Sequence, residues 1–213
     1  MTRRTIDFHY DLLSPFAHVA LERMAELPAD VTVRPVPVLL GAILAHWGQR
    51  GPAEISAKRL HTYRLSVFLG RKYGLEMRFP PRHPFNPLKA LRLLAGSDAD
   101  LATVQRGFNF VFEQGRAPDT DEELSAFAEA TGLPVSLASD EAAKAALRAN
   151  TDRAIERGVF GVPSFVCPTE SGHEVFWGVD AFDMLLAWLD DEMMFDREPY
   201  RHLDAVTIGI ERK

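Results

Sequence analysis

Residues 5–10 alternate, Ile6, Phe8 and Tyr10 against Asp7 and His9, and this two-residue period predicts a strand. The period then changes. Ser14 and Pro15 open a helical pattern over residues 15–27 that Leu27-Pro28 stops, with Ser14 at the capping position and Pro15 in the first turn. Val31 to Val38 is β-branched and alternating, a second strand with Pro35 and Pro37 toward its end. Two strands joined by one helix make a βαβ unit with parallel strands.

From Leu39 to about Arg157 strand alternation disappears and helical spacing takes over. Helical segments are expected over Leu39–Trp47, Ile55–Tyr73, Leu88–Leu94, Leu101–Gln114, Asp119–Thr131 and Ser139–Arg157. They should bury their apolar stripes against each other as a helical subdomain. Between the second and third lies Phe79–Pro87, where four prolines block regular structure. Strands return at Ser164–Cys167 and His173–Trp177, joined by a turn at Thr169–Gly172, and Val179–Asp191 is a closing helix. In the polar tail, Ala205–Ile210 alternates as an edge strand would. The pattern predicts an α/β, thioredoxin-like fold with a large all-helical insertion: residues 1–38 and 150–213 form a discontinuous thioredoxin-like domain around an insertion at 39–149.

Composition narrows the function classes. The chain has 213 residues, 46% hydrophobic and 25% charged, as a globular protein does. A net charge of −6 without a Lys/Arg block argues against a nucleic-acid surface. No apolar run approaches membrane-spanning length, and Asp7, His9 and Asp11 break the only stretch that could imitate a signal peptide. The one cysteine, Cys167, lies in a strand expected to be buried; no intramolecular disulfide can form, which fits a cytoplasmic location. Seven scattered histidines show no metal-ligand spacing, so no metal is expected.

Ser14 has two readings. It is a helix cap, or it also holds a thiol where N–H donors and the helix dipole favour negative charge. The second reading gains weight from Gly161-Val162-Pro163-Ser164-Phe165, where a cis Val-Pro bond would leave the Val162 backbone open to an extended ligand. Trp47 and Trp177 either pack internally or line an aromatic cleft.

These segments, with Arg34-Pro35-Val36-Pro37-Val38-Leu39-Leu40-Gly41, Phe85-Asn86-Pro87 and Phe176-Trp177-Gly178-Val179-Asp180, resemble one family along nearly the whole chain. It is the DsbA-type thioredoxin branch containing 2-hydroxychromene-2-carboxylate isomerases and kappa-class glutathione transferases. Where its disulfide oxidoreductases have C-x-x-C, this chain has Ser14-Pro15-Phe16-Ala17, so dithiol exchange is excluded. The resemblance implies glutathione as cofactor, with Ser14 as the catalytic residue hydrogen-bonding its sulfur. It implies further contacts from Gln49, the Val162 backbone beside Pro163, Val179 and Asp180, and substrate contacts from Lys58 and Asn86. It also implies a homodimer acting on a small molecule. Some positions depart from the family. Gln49 replaces an asparagine, Val179 a serine, and His61 and Leu65 stand for a tyrosine and an aspartate. The expected activity is glutathione-dependent isomerisation of an unsaturated or aromatic-derived acid. A kappa-like transferase and a non-catalytic binding protein are the alternatives, the last suggested by the altered helix around Lys58.

Overall fold

The computed structural model describes residues 4–210. Strand β1 (Arg4–Tyr10) pairs in parallel with β2 (Val31–Pro37), and helix α1 (Pro15–Arg23) connects them. A 3₁₀ turn at Met24–Glu26 finishes that connection before Leu27 returns to extended backbone. On its other edge β1 pairs antiparallel with β3 (Ser164–Pro168), which forms a hairpin with β4 (His173–Trp177). The order is therefore β2-β1-β3-β4. β2 is an edge strand, and this is why it tolerates Pro35 and Pro37: their missing donors interrupt no ladder on the outer side.

Between β2 and β3 run α2 (Leu40–His46), α3 (Ser56–Lys72), α4 (Leu88–Gly96), α5 (Leu101–Phe112), α6 (Asp121–Thr131) and α7 (Glu141–Glu156). The last helix, α8 (Phe182–Asp190), follows the hairpin. Short polar side chains start α5, α6 and α7 as caps. Asp100 accepts from the Thr103 N–H at 2.8 Å, Thr120 from Glu123 at 3.2 Å and Asp140 from Ala143 at 2.8 Å. Each such cap contributes about 1 kcal/mol.

The sheet has two unlike faces. Ile6, Phe8 and Tyr10 join residues of α1, α4, α5, α6 and α8 in one large core, with Phe8 against Phe165 and Tyr10 against Phe108. The helices between β2 and β3 thus do not bury their stripes only against each other; α4, α5 and α6 share their core with the sheet. The second face is smaller. Val38 and Val166 pack there on Ile43 of α2 and Ala154 of α7. Onto that face β1 turns Asp7 and His9, Asp11 follows directly after the strand, and all three are buried. Their alternation suits a half-buried strand, but α2 and α7 cover the polar side as well.

Cys167 lies in the core as expected, and burial pushes its thiol up to about 12, so it stays protonated and unreactive. The tail corrects one expectation. Residues 206–210 form no strand; Val206, Ile208 and Ile210 are 69%, 78% and 89% exposed. Alternation alone does not make a strand where no neighbouring edge accepts it.

Candidate functional site at the first strand-to-helix turn

The turn from β1 to α1 is fixed by Asp11. Its carboxylate accepts from the Leu13 N–H at 2.9 Å and from the Leu40 N–H, in the first turn of α2, at 2.8 Å. Its backbone carbonyl accepts from the Ser14 N–H at 2.9 Å. One buried side chain thereby joins the turn bearing Ser14 to the start of α2. Burial raises the Asp11 carboxyl to about 6 against the lowering effect of those two N–H groups. The sequence reading missed Asp11; an acid three residues before a capping serine is a turn signal that could have found it.

Ser14 caps α1 from extended backbone (φ −93°, ψ 106°), and its hydroxyl accepts from the Ala17 N–H at 3.2 Å. The same hydroxyl donates to the Val162 carbonyl at 3.2 Å, across 148 residues of chain. The Val162–Pro163 bond is cis, as are His83–Pro84 and Glu198–Pro199. The Pro163 carbonyl accepts from the Gly178 N–H at 2.9 Å, so the loop also holds the segment that leads to Asp180. Ser14, Val162, Pro163 and the Gly178–Asp180 turn are thus brought together by hydrogen bonds.

The other expected site residues divide. Asp180 is exposed, in the turn before α8. The Val179 side chain is buried, and its carbonyl accepts from Arg23 Nη1 at 3.1 Å. Gln49 is exposed in the loop after α2, held through its backbone N–H to Leu44 O at 2.8 Å. Lys58 is exposed in the first turn of α3. Asn86 is committed locally: its side-chain oxygen accepts from the Leu88 N–H at 3.1 Å, at the start of α4. Among the described residues, no hydrogen bond joins Gln49, Lys58 or Asn86 to Ser14.

His83 of the proline-rich loop is a second residue that sequence reasoning passed over. Its Nε2 donates to the Leu13 carbonyl at 2.9 Å, because a carbonyl can only accept. Nδ1 then carries no proton; it lies 2.9 Å from the Tyr63 hydroxyl on α3, which donates to the His83 carbonyl at 2.8 Å. Burial pushes the imidazolium form down, which keeps this tautomer neutral. No motif in the sequence announces a histidine in this role.

Three exposed aromatics flank the Val162 loop. Trp47 Nε1 donates to the Val159 carbonyl at 3.0 Å, and Phe160 lies 5.0 Å from Trp177 between ring centroids. Trp177 in turn lies over Gly161, where a Cβ would meet its Nε1 at 2.5 Å. Trp47 and Trp177 remain 44% and 48% exposed, so both present ring surface to solvent beside the serine turn.

A parallel βα unit continued by an antiparallel hairpin, with a cis-proline loop facing the first helix, defines a thioredoxin-like protein, here with serine where a redox thiol would stand. The model of the DSBA-like thioredoxin domain matches residues 5–190, and the chain belongs to that family. A 2-hydroxychromene-2-carboxylate isomerase of Pseudomonas putida is 32% identical over 84% of this chain and 91% of its own length. Glutathione S-transferase kappa 1 of Caenorhabditis elegans is 24% identical over 84% of this chain and 88% of its own. The solved structure of a 2-hydroxychromene-2-carboxylate isomerase superposes with a TM-score of 0.76 at 26% identity, covering 95% of this chain and 100% of that one. The chain is an enzyme of the family's isomerase branch. No helix among the described residues is long and apolar enough to cross a membrane.

Proposed function

We propose that the protein is a glutathione-dependent isomerase of the 2-hydroxychromene-2-carboxylate isomerase type. The observation that carries this reading is the Ser14 hydroxyl, set at the N-terminus of α1 and 3.2 Å from the carbonyl before the cis proline. When bound, glutathione would supply the thiolate nucleophile for isomerising an unsaturated acid, and Ser14, the Val162 backbone and Asp180 would hold it. Ser14 would hold the negative charge by turning its single O–H proton away from the Val162 carbonyl, which takes it in this structure. The Ala17 N–H keeps its bond to the Ser14 oxygen through that turn, so the cap persists. Once released, the Val162 carbonyl is free to pair with an extended peptide, in the manner of an added strand. Asp180, exposed and tethered through Gly178 to Pro163, offers a carboxylate to an ammonium group. Trp47 and Trp177 supply apolar surface for an aromatic-derived substrate.

Gln49, in the loop after α2, and Lys58, in the first turn of α3, enter this reading as exposed groups, Gln49 toward the cofactor and Lys58 toward an acidic substrate. Asn86 enters it less directly, since its side chain already serves α4. A homodimer in the cytoplasm completes the proposal, and light scattering of the purified protein checks the dimer. The kappa-class relative supports a second reading, in which the adduct leaves as a conjugate. Calorimetric titration with glutathione tests the shared premise; no binding at millimolar concentration sinks both. With a substrate in hand, glutathione is returned by an isomerase and consumed by a transferase.

A further inference from the structure

On the α7 side of the sheet lies a cavity of about 180 Å³ that the serine turn does not use. Asp7, His9, Arg34, Asn150, Arg153 and Arg157 give it most of its polar lining, α4 contributes Leu94 and Ala95, and the turn after α4 contributes Asp98 and Ala99. Three arginines face two aspartates, Asp7 and Asp98, so the lining has a surplus of one positive charge. The Asp7 carboxylate is fully engaged. Arg34 binds it through Nε and Nη2, both at 2.7 Å, and Arg157 through Nη1 at 2.8 Å. Arg153 meets only a neutral partner among the described residues, the Asn150 side-chain oxygen at 2.7 Å.

His9 is the decisive group. It is 2% exposed, lines the cavity, and its Nδ1 has no hydrogen-bond partner among the described residues. A buried polar nitrogen left unpaired costs about 1–3 kcal/mol, and a ring that lines a roomy polar cavity can recover it by turning that nitrogen toward an occupant. The spare capacity around it consists of donors: guanidinium N–H groups on Arg153 and Arg157, and an imidazole N–H. Asp7 does not oppose an anion here, because two guanidiniums already neutralise it.

We propose that this cavity binds a small oxyanion of the phosphate or carboxylate type, held by Arg153, Arg157 and His9. Guanidinium groups suit such a ligand because they donate paired, charge-assisted hydrogen bonds to its oxygens. The site is separate from the serine turn, and the inference does not depend on the glutathione reading.

Calorimetric titration of the full chain with inorganic phosphate, and separately with acetate, tests the proposal, with chloride as the only other anion. Saturable binding of at least one of them in the millimolar range is expected, with ligand-dependent shifts of the His9 ring resonances. The tighter of the two identifies which oxyanion the site prefers. Arg153→Glu, at an exposed position of α7, should fold normally, keep its response to glutathione and weaken oxyanion binding by about tenfold or more. His9→Phe should do the same where circular dichroism shows it folded. Absence of saturable binding by both anions overturns the proposal, and so does binding that Arg153→Glu leaves unchanged.

Discussion

Ser14 has one proton and, in the proposed mechanism, two acceptors for it. In this structure the Val162 carbonyl takes it, while the Ser14 oxygen accepts from Ala17. Capping and thiolate stabilisation therefore separate by substitution. Ser14→Ala should lower folding stability by about 1 kcal/mol through the lost cap, whereas Ser14→Gly should cost only a few tenths. Both remove the hydroxyl, so both should lower glutathione-dependent turnover by about a hundredfold, as loss of one preorganised donor does. Chemical denaturation and turnover measured side by side check this; an active Ser14→Gly protein would show that Ser14 is only a cap. Asp11 acts on the same turn from below. Asp11→Asn keeps one acceptor but turns an NH₂ toward an N–H, either of Leu13 or of Leu40. A loss of about 1–3 kcal/mol in denaturation midpoint experiments is expected, because one buried N–H is left unpaired.

At the scale of elements, the segment between β4 and α8 has the tightest backbone requirement at the site. Gly178 has φ +91°, and a Cβ there would collide with the Asp180 carboxylate. Its N–H also holds the Pro163 carbonyl at 2.9 Å. Gly178→Ala should therefore destabilise by more than about 1 kcal/mol and weaken glutathione binding, since Asp180 must move. Calorimetry on the folded variant checks the second effect; unchanged affinity would remove Asp180 from the proposed contacts. These local rules also explain what the sequence disclosed. The strands, the Ser14 cap and most helix starts were legible because each depends on neighbours within a few residues. Ser14 and Val162–Pro163 were legible as separate motifs, and family resemblance paired them. His83 was not, because its partner Leu13 lies 70 residues away and no periodicity marks it; Asp11 was legible only as a turn acid, since its bond to Leu40 reaches 29 residues along the chain. The tail misled for the opposite reason: Ala205–Ile210 has a strand's local pattern without a partner edge. Asn86 shows a third case, where the bland role of a turn residue beside proline is the one its side chain visibly fills.

For the whole molecule, buried titratable groups set the response to acid. Burial lowers His9 and His18 from 6.5 to about 4, so the folded protein refuses protons that the unfolded chain takes up. Both contributions to stability are complete above pH 6.5 and are lost as pH falls toward 4. Asp11 works the other way. Raised from 3.8 to about 6, it binds a proton in the folded state first, and so favours folding as pH falls through that window. Burial lowers His83 as well, so between pH 6 and 4 the buried histidines outweigh the single acid and stability should fall as pH falls. His18 is the better test, because it lies apart from the arginines around His9, between Phe108 and Phe112 at 5.6 and 6.1 Å. His18→Phe removes one protonating group from that balance, worth up to about 1.4 kcal/mol per pH unit. Urea denaturation at several pH values should show a shallower loss of stability between pH 6 and 4 for that variant, whatever its absolute stability. A slope unchanged from the parent would mean that His18 is not the neutral buried group the packing requires.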